Sequence, residues 1–317
     1  MITYIVRRLL QMIPVLIGTT FLIFSLVYLL PGEPWEGRCG ERPCDPAYIA
    51  KFKEDYNLDK PFFVQYALYM GKVLQGDLGT NFYGNEVTAE LVNRVPTTAI
   101  LAAMAIFIEV VVGITAGVIA GSRKGKVSDG LITAITLLLI SIPAFVLGGL
   151  AQLGILRLNM NLGTQLPLTA ANASPPTGET VVSLIIPAFV LAGLNIAYIT
   201  RLTRATMVEN LRADFVRTAR AKGLQQKRII FVHTLRNSLI PVVTQVGVDF
   251  GVLMGGAIVT ERIFNINGVG SFIFRSISQQ DGSSVVGAVL MLVLVYLVAN
   301  LLVDILYASL DPRISHD

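Results

Sequence analysis

Six long apolar runs are the feature of this sequence that most limits how the chain can fold. Each run approaches or exceeds the roughly 20 residues that a helix needs to cross about 30 Å of hydrocarbon. The runs cover residues 9–30, 97–121, 131–156, 181–200, 238–260 and 284–308. Because a backbone in lipid must satisfy its hydrogen bonds internally, helices are the expected form. The sequence therefore predicts an all-α membrane protein with six transmembrane helices.

The composition agrees with lipid as a solvent for much of the chain. Charged residues make up 15% and hydrophobic residues 53% of the chain, whereas soluble domains carry about 25% charged residues. The mean hydropathy is +0.65 and the pI is near 9.1. Such a pI would also suit a nucleic-acid-binding protein, but the basic residues lie between the apolar runs. That placement indicates membrane orientation and no nucleic-acid partner.

Two features of the apolar runs affect the topology. The first run follows Arg7 and Arg8, as in a secretory signal peptide. It is too long for a typical signal sequence and ends without a small-residue cleavage site, so we predict that it is retained as a helix. Pro143 and Pro187 interrupt the third and fourth runs, and both predict kinks.

Basic residues predict the orientation of the chain. Segments 1–8, 122–129, 201–237 and 309–317 hold 15 Lys and Arg residues in 62 positions, and the remaining connections hold 10 in 113. By the positive-inside rule, the first set is cytoplasmic and includes both termini. The predicted divisions are an N-terminal helix (1–30), an extracytoplasmic segment (31–96), a five-helix core (97–308) with a cytoplasmic loop (201–237), and a tail (309–317).

The extracytoplasmic segment 31–96 is long for a connection between spans. Its part Tyr48–Leu74 is rich in helix formers and aromatic residues, which predicts amphipathic helices. Two roles are open: helices lying against the outer membrane face or covering a pore mouth, and a packed cap without a role in transport. Cys39 and Cys44 lie in the same segment, where a disulfide and two free thiols are both consistent with the sequence.

The cytoplasmic loop 201–237 has a helical pattern of its own. The spacing of Leu211, Phe215, Ala219 and Lys222 predicts a helix that ends with Gly223 just beyond it. A second short helix is predicted from Gln225. Two arginine-rich helices joined by a glycine suit docking into a groove on another protein. The alternative is a basic loop that only fixes topology.

This loop resembles the EAA loop of ABC importer permeases, in the first-permease (B-type) subclass that serves oligopeptides, dipeptides and nickel. The similarity is carried by Arg217-Thr-Ala-Arg-Ala-Lys-Gly223 and by His233-Thr-Leu-Arg-Asn-Ser-Leu-Ile-Pro241. The family's usual glutamate is absent, since Arg217 stands in its place. Other matching landmarks are Tyr4–Pro14, Leu29–Gly32, Leu58–Pro61, Gly76–Gly79, Ser141–Pro143, Thr260-Glu261, Gly268–Gly270 and Leu310–Arg313.

The resemblance implies the type I ABC importer permease fold (MetI-like) in a bacterial cytoplasmic membrane. It also implies that the loop forms coupling helices in a cleft of a partner ATPase. The positions that match this role are Asp214, Arg217, Thr218, Ala219, Arg220, Lys222 and Gly223. The implied partners are a second homologous permease, two ATPase domains or subunits and an extracytoplasmic peptide-binding protein. Peptides are the implied substrate, with nickel chelates or glutathione as alternatives.

The sequence itself contains no complete phosphate-binding loop. The nearest approach, Gly79–Gly84, is followed by Asn85 where the motif requires lysine. We therefore expect ATP and magnesium on the partner subunits and no enzymatic activity on this chain.

Three acidic residues lie within or near the predicted spans: Glu109, Asp249 and Asp304. Such residues are costly in lipid and are functional candidates. Glu109 is expected to face other helices or a wet cavity. For Asp249, a place on the substrate path and a hydrogen bond to a neighbouring helix are both open. Asp304 is expected to anchor the inner end of its helix.

Small residues and one methionine complete the candidates. Glycines recur every four residues at 113/117/121 and at 247/251/255, a spacing that predicts close helix packing. Met254 is a candidate for an apolar constriction.

An alternative function of another class is a proton-coupled secondary transporter with Glu109 and Asp249 as a proton relay. Such transporters often contain a second, inverted half, and none is detected in the sequence.

Overall fold

The computed structural model describes residues 2–29, 44–55, 57–170 and 177–310, and within these ranges the chain is helical without a β-strand. Six helices are long and apolar enough to cross a membrane, which confirms the predicted fold class. The helices are α1 (Ile2–Leu29), α2 (Pro46–Asp55), α3 (Phe62–Val73), α4 (Val87–Ser122), α5 (Val127–Ser141), α6 (Ala144–Leu162), α7 (Gly178–Ser183), α8 (Ile185–Asn210), α9 (Asp214–Ala221), α10 (Gln226–Arg228), α11 (Leu235–Ile263), α12 (Val269–Ser278) and α13 (Gly282–Leu310).

The helices pack into two units. The first consists of Met1–Thr98 and Asn267–Asp317, and the second of Ala99–Ile266. In the first unit α1 packs along α13, and the two backbones approach closely where Gly282 meets Val27. These two units do not test which segments lie on which side of the membrane, so that assignment stays a prediction.

The second unit is built around α8, which buries more of its span than any other of the six candidate spans. Its neighbours are α5, α6 and α11, and α4 approaches it through the first glycine series. A Cβ atom added at Gly113, Gly117 or Gly121 would lie within 2.8 Å of an atom of Ile199, Thr203 or Met207, respectively. The predicted close packing at this series is confirmed.

Proline acts differently in the third and fourth runs. The third run does not kink but breaks into α5 and α6, because Ile142 is extended (φ −93°, ψ 122°) before Pro143, as is usual for a residue that precedes proline. Pro187 lies in the first turn of α8, where its missing N–H leaves no helical hydrogen bond unmade. The fourth run is interrupted at Leu184, three residues before Pro187, and a separate helix, α7, precedes this point, so the kink predicted at Pro187 stays a prediction.

Candidate functional site

The predicted loop helix is present as α9, and its two faces differ sharply. Val216 and Ala219 point inward and form a small apolar cluster with Ile229, against which Leu224 packs. The opposite face is exposed to solvent and carries Asp214, Arg217 and Thr218. The helix is thus held to the rest of the loop by three apolar side chains, and its polar face is open to a partner.

Gly223 ends this helix as the sequence predicts. Its φ is +75°, a left-handed conformation that glycine adopts without steric cost. The N–H of Gly223 donates to the Arg220 carbonyl at 2.9 Å, and the N–H of Leu224 donates to the Ala219 carbonyl at 3.2 Å. These two bonds and the packing of Leu224 form a Schellman motif, which satisfies carbonyls that the helix end leaves unpaired.

The second loop helix differs from the prediction. It begins at Gln226, passes through a π-helical turn (Ile229–Thr234) and continues without a break into α11. The segment from Asp214 onward is therefore a hairpin of α9 and the N-terminal extension of α11. We call residues 214–234 the hairpin. A displacement of the hairpin is thereby coupled to α11 through continuous helix.

The exposed surface of the hairpin is strongly basic. Arg217 pairs with Asp214 at 3.1 Å, but both side chains are largely exposed, and such surface pairs contribute little stability. The other exposed cations in or beside the hairpin are Arg212, Arg220, Lys222, Lys227, Arg228 and Arg236. These guanidinium and ammonium groups remain available to carboxylates of another protein.

Ala219 has a different place from the one expected. Its side chain is 7% exposed and belongs to the inner cluster, so the small residue allows α9 to pack closely on its own hairpin. Contact between Ala219 and a partner protein is therefore not supported by this geometry.

Polar contacts that the sequence pattern did not reveal tie together the helices flanking the hairpin. The Asn210 side chain donates to Ser238 Oγ at 3.1 Å, and Thr206 Oγ1 donates to the Ser238 carbonyl at 3.1 Å. Ser238 is fully buried. Asn210 and Ser238 stand 28 positions apart, and only the tertiary packing of α8 on α11 brings them together.

A second polar link fixes the loop between α4 and α5. Asp129 accepts hydrogen bonds from Arg204 Nε at 2.5 Å, from Arg204 Nη2 at 2.9 Å and from the Gly125 N–H at 2.9 Å. These bonds, above all those from Arg204, lower the pKa of Asp129 to about 2. Asp129 therefore holds this loop to the end of α8 from which the hairpin follows.

The Asp129→Asn substitution is expected to destabilise the protein by about 1 kcal/mol at pH 7, since solvent screens the partly exposed Arg204. Because the folded pKa is below the unfolded value of about 3.9, the stabilisation is complete above that value and is lost only as the pH falls through about 2. The melting temperature of the Asp129→Asn variant should therefore lie below that of the unaltered protein by the same amount at pH 5 and at pH 8. Asp214→Asn, which removes an exposed pair, is the control. Equal effects of the two substitutions would contradict this assignment.

The intramembrane carboxylates belong to the second unit and lie inside it. Glu109 on α4 is fully buried, and neither of its carboxylate oxygens has a hydrogen-bond partner among the described residues. Asn195 on α8 and Asp249 on α11 lie near its carboxylate. Glu109 thus faces other helices, one of the two placements expected.

Asp249 and Met254 are also largely buried. Asp249 Oδ1 accepts a hydrogen bond from Gln245 of its own helix at 2.8 Å, and Asp249 Oδ2 has no hydrogen-bond partner among the described residues, so the alternative of a bond to a neighbouring helix is not seen there. Met254 is 1% exposed. Roles of Glu109, Asp249 and Met254 along a substrate path stay predictions.

The cysteine pair, Asp304 and the second glycine series are the remaining features predicted from the sequence. Cys39 and the side chain of Asp304 lie outside the described residues, so the Cys39–Cys44 disulfide and the anchoring role of Asp304 stay predictions. In the second glycine series, a Cβ added at Gly255 would meet open space. Among the described residues, Gly255 therefore makes no close helix contact.

Two family models together match nearly the whole chain. The model described as "Binding-protein-dependent transport system inner membrane component" matches residues 113–316. The model described as "Binding-prot-dependent transport system membrane comp, N-term" matches residues 1–102. The first match contains α8, the hairpin and α11.

Individual relatives are similar over their full length. The chain is 36% identical to the dipeptide transport system permease protein DppB of Alkalihalophilus pseudofirmus, with all of both chains covered. It is 38% identical to the di/tripeptide transport system permease protein DppB of Pseudomonas aeruginosa, covering 100% of this chain and 99% of the relative. It is also 36% identical to the glutathione transport system permease protein GsiC of Pectobacterium atrosepticum, again with full coverage.

Proposed function

Because the chain belongs to the family of binding-protein-dependent transport system inner membrane components, we propose that it forms half of the transmembrane pathway of an ATP-driven importer of dipeptides or oligopeptides. The other half is a second homologous permease. Two ATPase domains or subunits dock on the cytoplasmic side, and an extracytoplasmic binding protein delivers the substrate. Both termini of this chain lie in the cytoplasm.

The observation that carries this proposal is the hairpin. It presents a basic surface to solvent, is stiffened by the Schellman turn at Gly223 and continues directly into α11. Because the helix is continuous, movement of a protein docked on the hairpin is transmitted to α11. Closure of the ATPases on ATP moves the hairpins, and the membrane helices then alternate between outward and inward access.

Peptide substrates are favoured over glutathione by the relatives. The two DppB proteins from different organisms are named for dipeptides and for di- and tripeptides, whereas GsiC is named for glutathione. Glutathione is itself a modified tripeptide, so the two substrate classes share a free amino group and free carboxylates. Nickel chelates are a more distant alternative that rests on the family resemblance alone.

The test is uptake by the purified complex reconstituted into liposomes with its binding protein. Labelled dialanine should enter only when ATP is present on the ATPase side, and a non-hydrolysable ATP analogue should not support uptake. A protonophore should leave the rate unchanged. Uptake driven by a proton gradient without ATP would instead support a secondary transporter. Uptake of labelled glutathione but not dialanine would reassign the substrate.

A further inference from the structure

Helix α3 of the extracytoplasmic segment contacts a membrane helix well inside its apolar span. The Tyr66 hydroxyl donates a hydrogen bond to the Ile17 carbonyl at 3.1 Å and lies 2.8 Å from Thr20 Oγ1. Both partners belong to α1, whose candidate span is Val6–Val27. Thr20 is seven residues from the outer end of this span, which corresponds to a depth of about 10 Å.

Aromatic rings extend this contact over two turns of α1. Phe21 lies against Phe62 and Tyr66, with ring centroids 5.8 and 5.3 Å apart. Phe24 lies against Tyr66 and Tyr69, at 5.6 and 5.5 Å. Helix α3 is therefore packed firmly on the half of α1 that leads to the extracytoplasmic segment.

A second face of α3 is apolar and largely exposed, and at its edge the Phe63 ring also stacks on Phe21 of α1, with ring centroids 6.2 Å apart. Phe63 is 73%, Val64 43% and Leu68 39% exposed, and Ala67 lies between them on the same face. No charged residue occurs from Phe62 to Gly71. A surface helix in water presents polar residues to solvent, whereas α3 turns both of its tyrosines, together with Phe62, toward α1 and leaves an apolar face exposed. This inverted pattern is expected where the surrounding solvent is hydrocarbon.

The length of α3 limits how far it extends into a bilayer. Its 12 residues correspond to about 18 Å, less than the roughly 30 Å of the hydrocarbon core. Asp59 and Lys60 precede the helix, and Lys72 and Asp77 are at or beyond its end. All four are exposed and mark where the chain returns to a polar environment.

We propose that α3 lies within the hydrocarbon of one leaflet beside α1 and that its face of Phe63, Val64, Ala67 and Leu68 contacts lipid acyl chains. By the orientation proposed above, this is the outer leaflet. The bond from Tyr66 to the Ile17 carbonyl pairs the phenol where water is absent. The segment predicted to lie on the membrane face or over a pore mouth is thereby partly embedded in lipid. This proposal does not depend on which solute is transported.

Photocrosslinking in native membranes tests the lipid contact. Phe63 is replaced by p-benzoyl-phenylalanine, a close analogue that is tolerated at an exposed position, in the assembled transporter. The matched control is Tyr83, which is 72% exposed in the loop between α3 and α4. After irradiation, mass spectrometry of the chain should show phospholipid adducts at position 63 at least about tenfold more often than at position 83.

Each other outcome overturns the proposal. Adducts of another protein at position 63 would show that a partner covers this face. Absence of any adduct at position 63, with the label incorporated, would place the face in water. Lipid adducts would support insertion whichever side of the membrane holds the termini, so the result is separable from the transport assay.

Discussion

Replacing Gly117 with alanine is expected to lower the melting temperature of the protein by several degrees, and replacing it with valine to prevent stable assembly. The added Cβ would lie 2.4 Å from Thr203 Cβ and 2.7 Å from the Thr200 carbonyl oxygen. A backbone carbonyl cannot rotate away, so α4 and α8 must separate. Overpacking of this kind costs about 1–3 kcal/mol or more, and the separation also weakens the contacts at Gly113 and Gly121.

Gly149 supplies a matched control for this prediction. It lies in α6, and an added Cβ would meet nothing within 4 Å. Gly149→Ala is therefore expected to be neutral or to stabilise the helix by up to about 1 kcal/mol. Size-exclusion chromatography of the detergent-solubilised complex after graded heating measures both variants. Equal behaviour of Gly117→Ala and Gly149→Ala would show that the close approach of α4 and α8 is unimportant for stability.

The glycine series illustrate which parts of the packing a sequence can predict. Spacing alone indicates that residues 113, 117 and 121 share one face of a helix. It does not identify the partner face, which presents Ile199, Thr203 and Met207, none of them a glycine. The same spacing at residues 247, 251 and 255 had the same interpretation, yet Gly255 faces open space. Periodicity defines a face, but tertiary structure decides what covers it.

The break in the third span shows a similar limit. Pro143 predicted a kink within one long helix, but the run is divided into two helices. The break is at Ile142, whose extended backbone separates α5 from α6.

Polar links between residues far apart in sequence were not predicted either, and Asp129 and Arg204, which stand 75 positions apart, are an example. Their pairing requires α5 to pack on α8, which no local pattern specifies.

The hairpin was predictable to a larger extent because its signals are local. A helix ending before Gly223 follows from spacing and from the conformational freedom of glycine, and both features are present. The inward orientation of Ala219 was missed, because its partner Ile229 belongs to the following helical segment. The continuity of that segment with α11 was missed as well, since the apolar run begins only beyond the π-helical turn.

Arg217→Glu is expected to abolish stable association with the ATPases and ATP-driven uptake while leaving the permease itself folded. Arg217 is largely exposed, and its pair with Asp214 contributes little to stability. Loss of a charged contact at an interface, with a repulsive charge in its place, costs about 2–5 kcal/mol. That corresponds to roughly 30-fold to 5,000-fold weaker binding. Co-purification of the ATPases with the tagged permease measures the effect, and the amount of membrane-inserted permease should be unchanged.

Three further substitutions separate the effect of charge from the effect of hairpin shape in this prediction. Arg123→Glu makes the same change of charge at an exposed position of the loop between α4 and α5, and it should leave association intact. Gly223→Asn should also be tolerated, because asparagine accepts the left-handed conformation and nothing lies within 4 Å of the added Cβ. Gly223→Pro removes the N–H that bonds to Arg220 and cannot adopt the positive φ, so it should disrupt the hairpin and uncouple transport. Normal ATPase binding by both Arg217→Glu and Gly223→Pro would mean that the ATPases dock elsewhere, and that α11 is moved by a different contact.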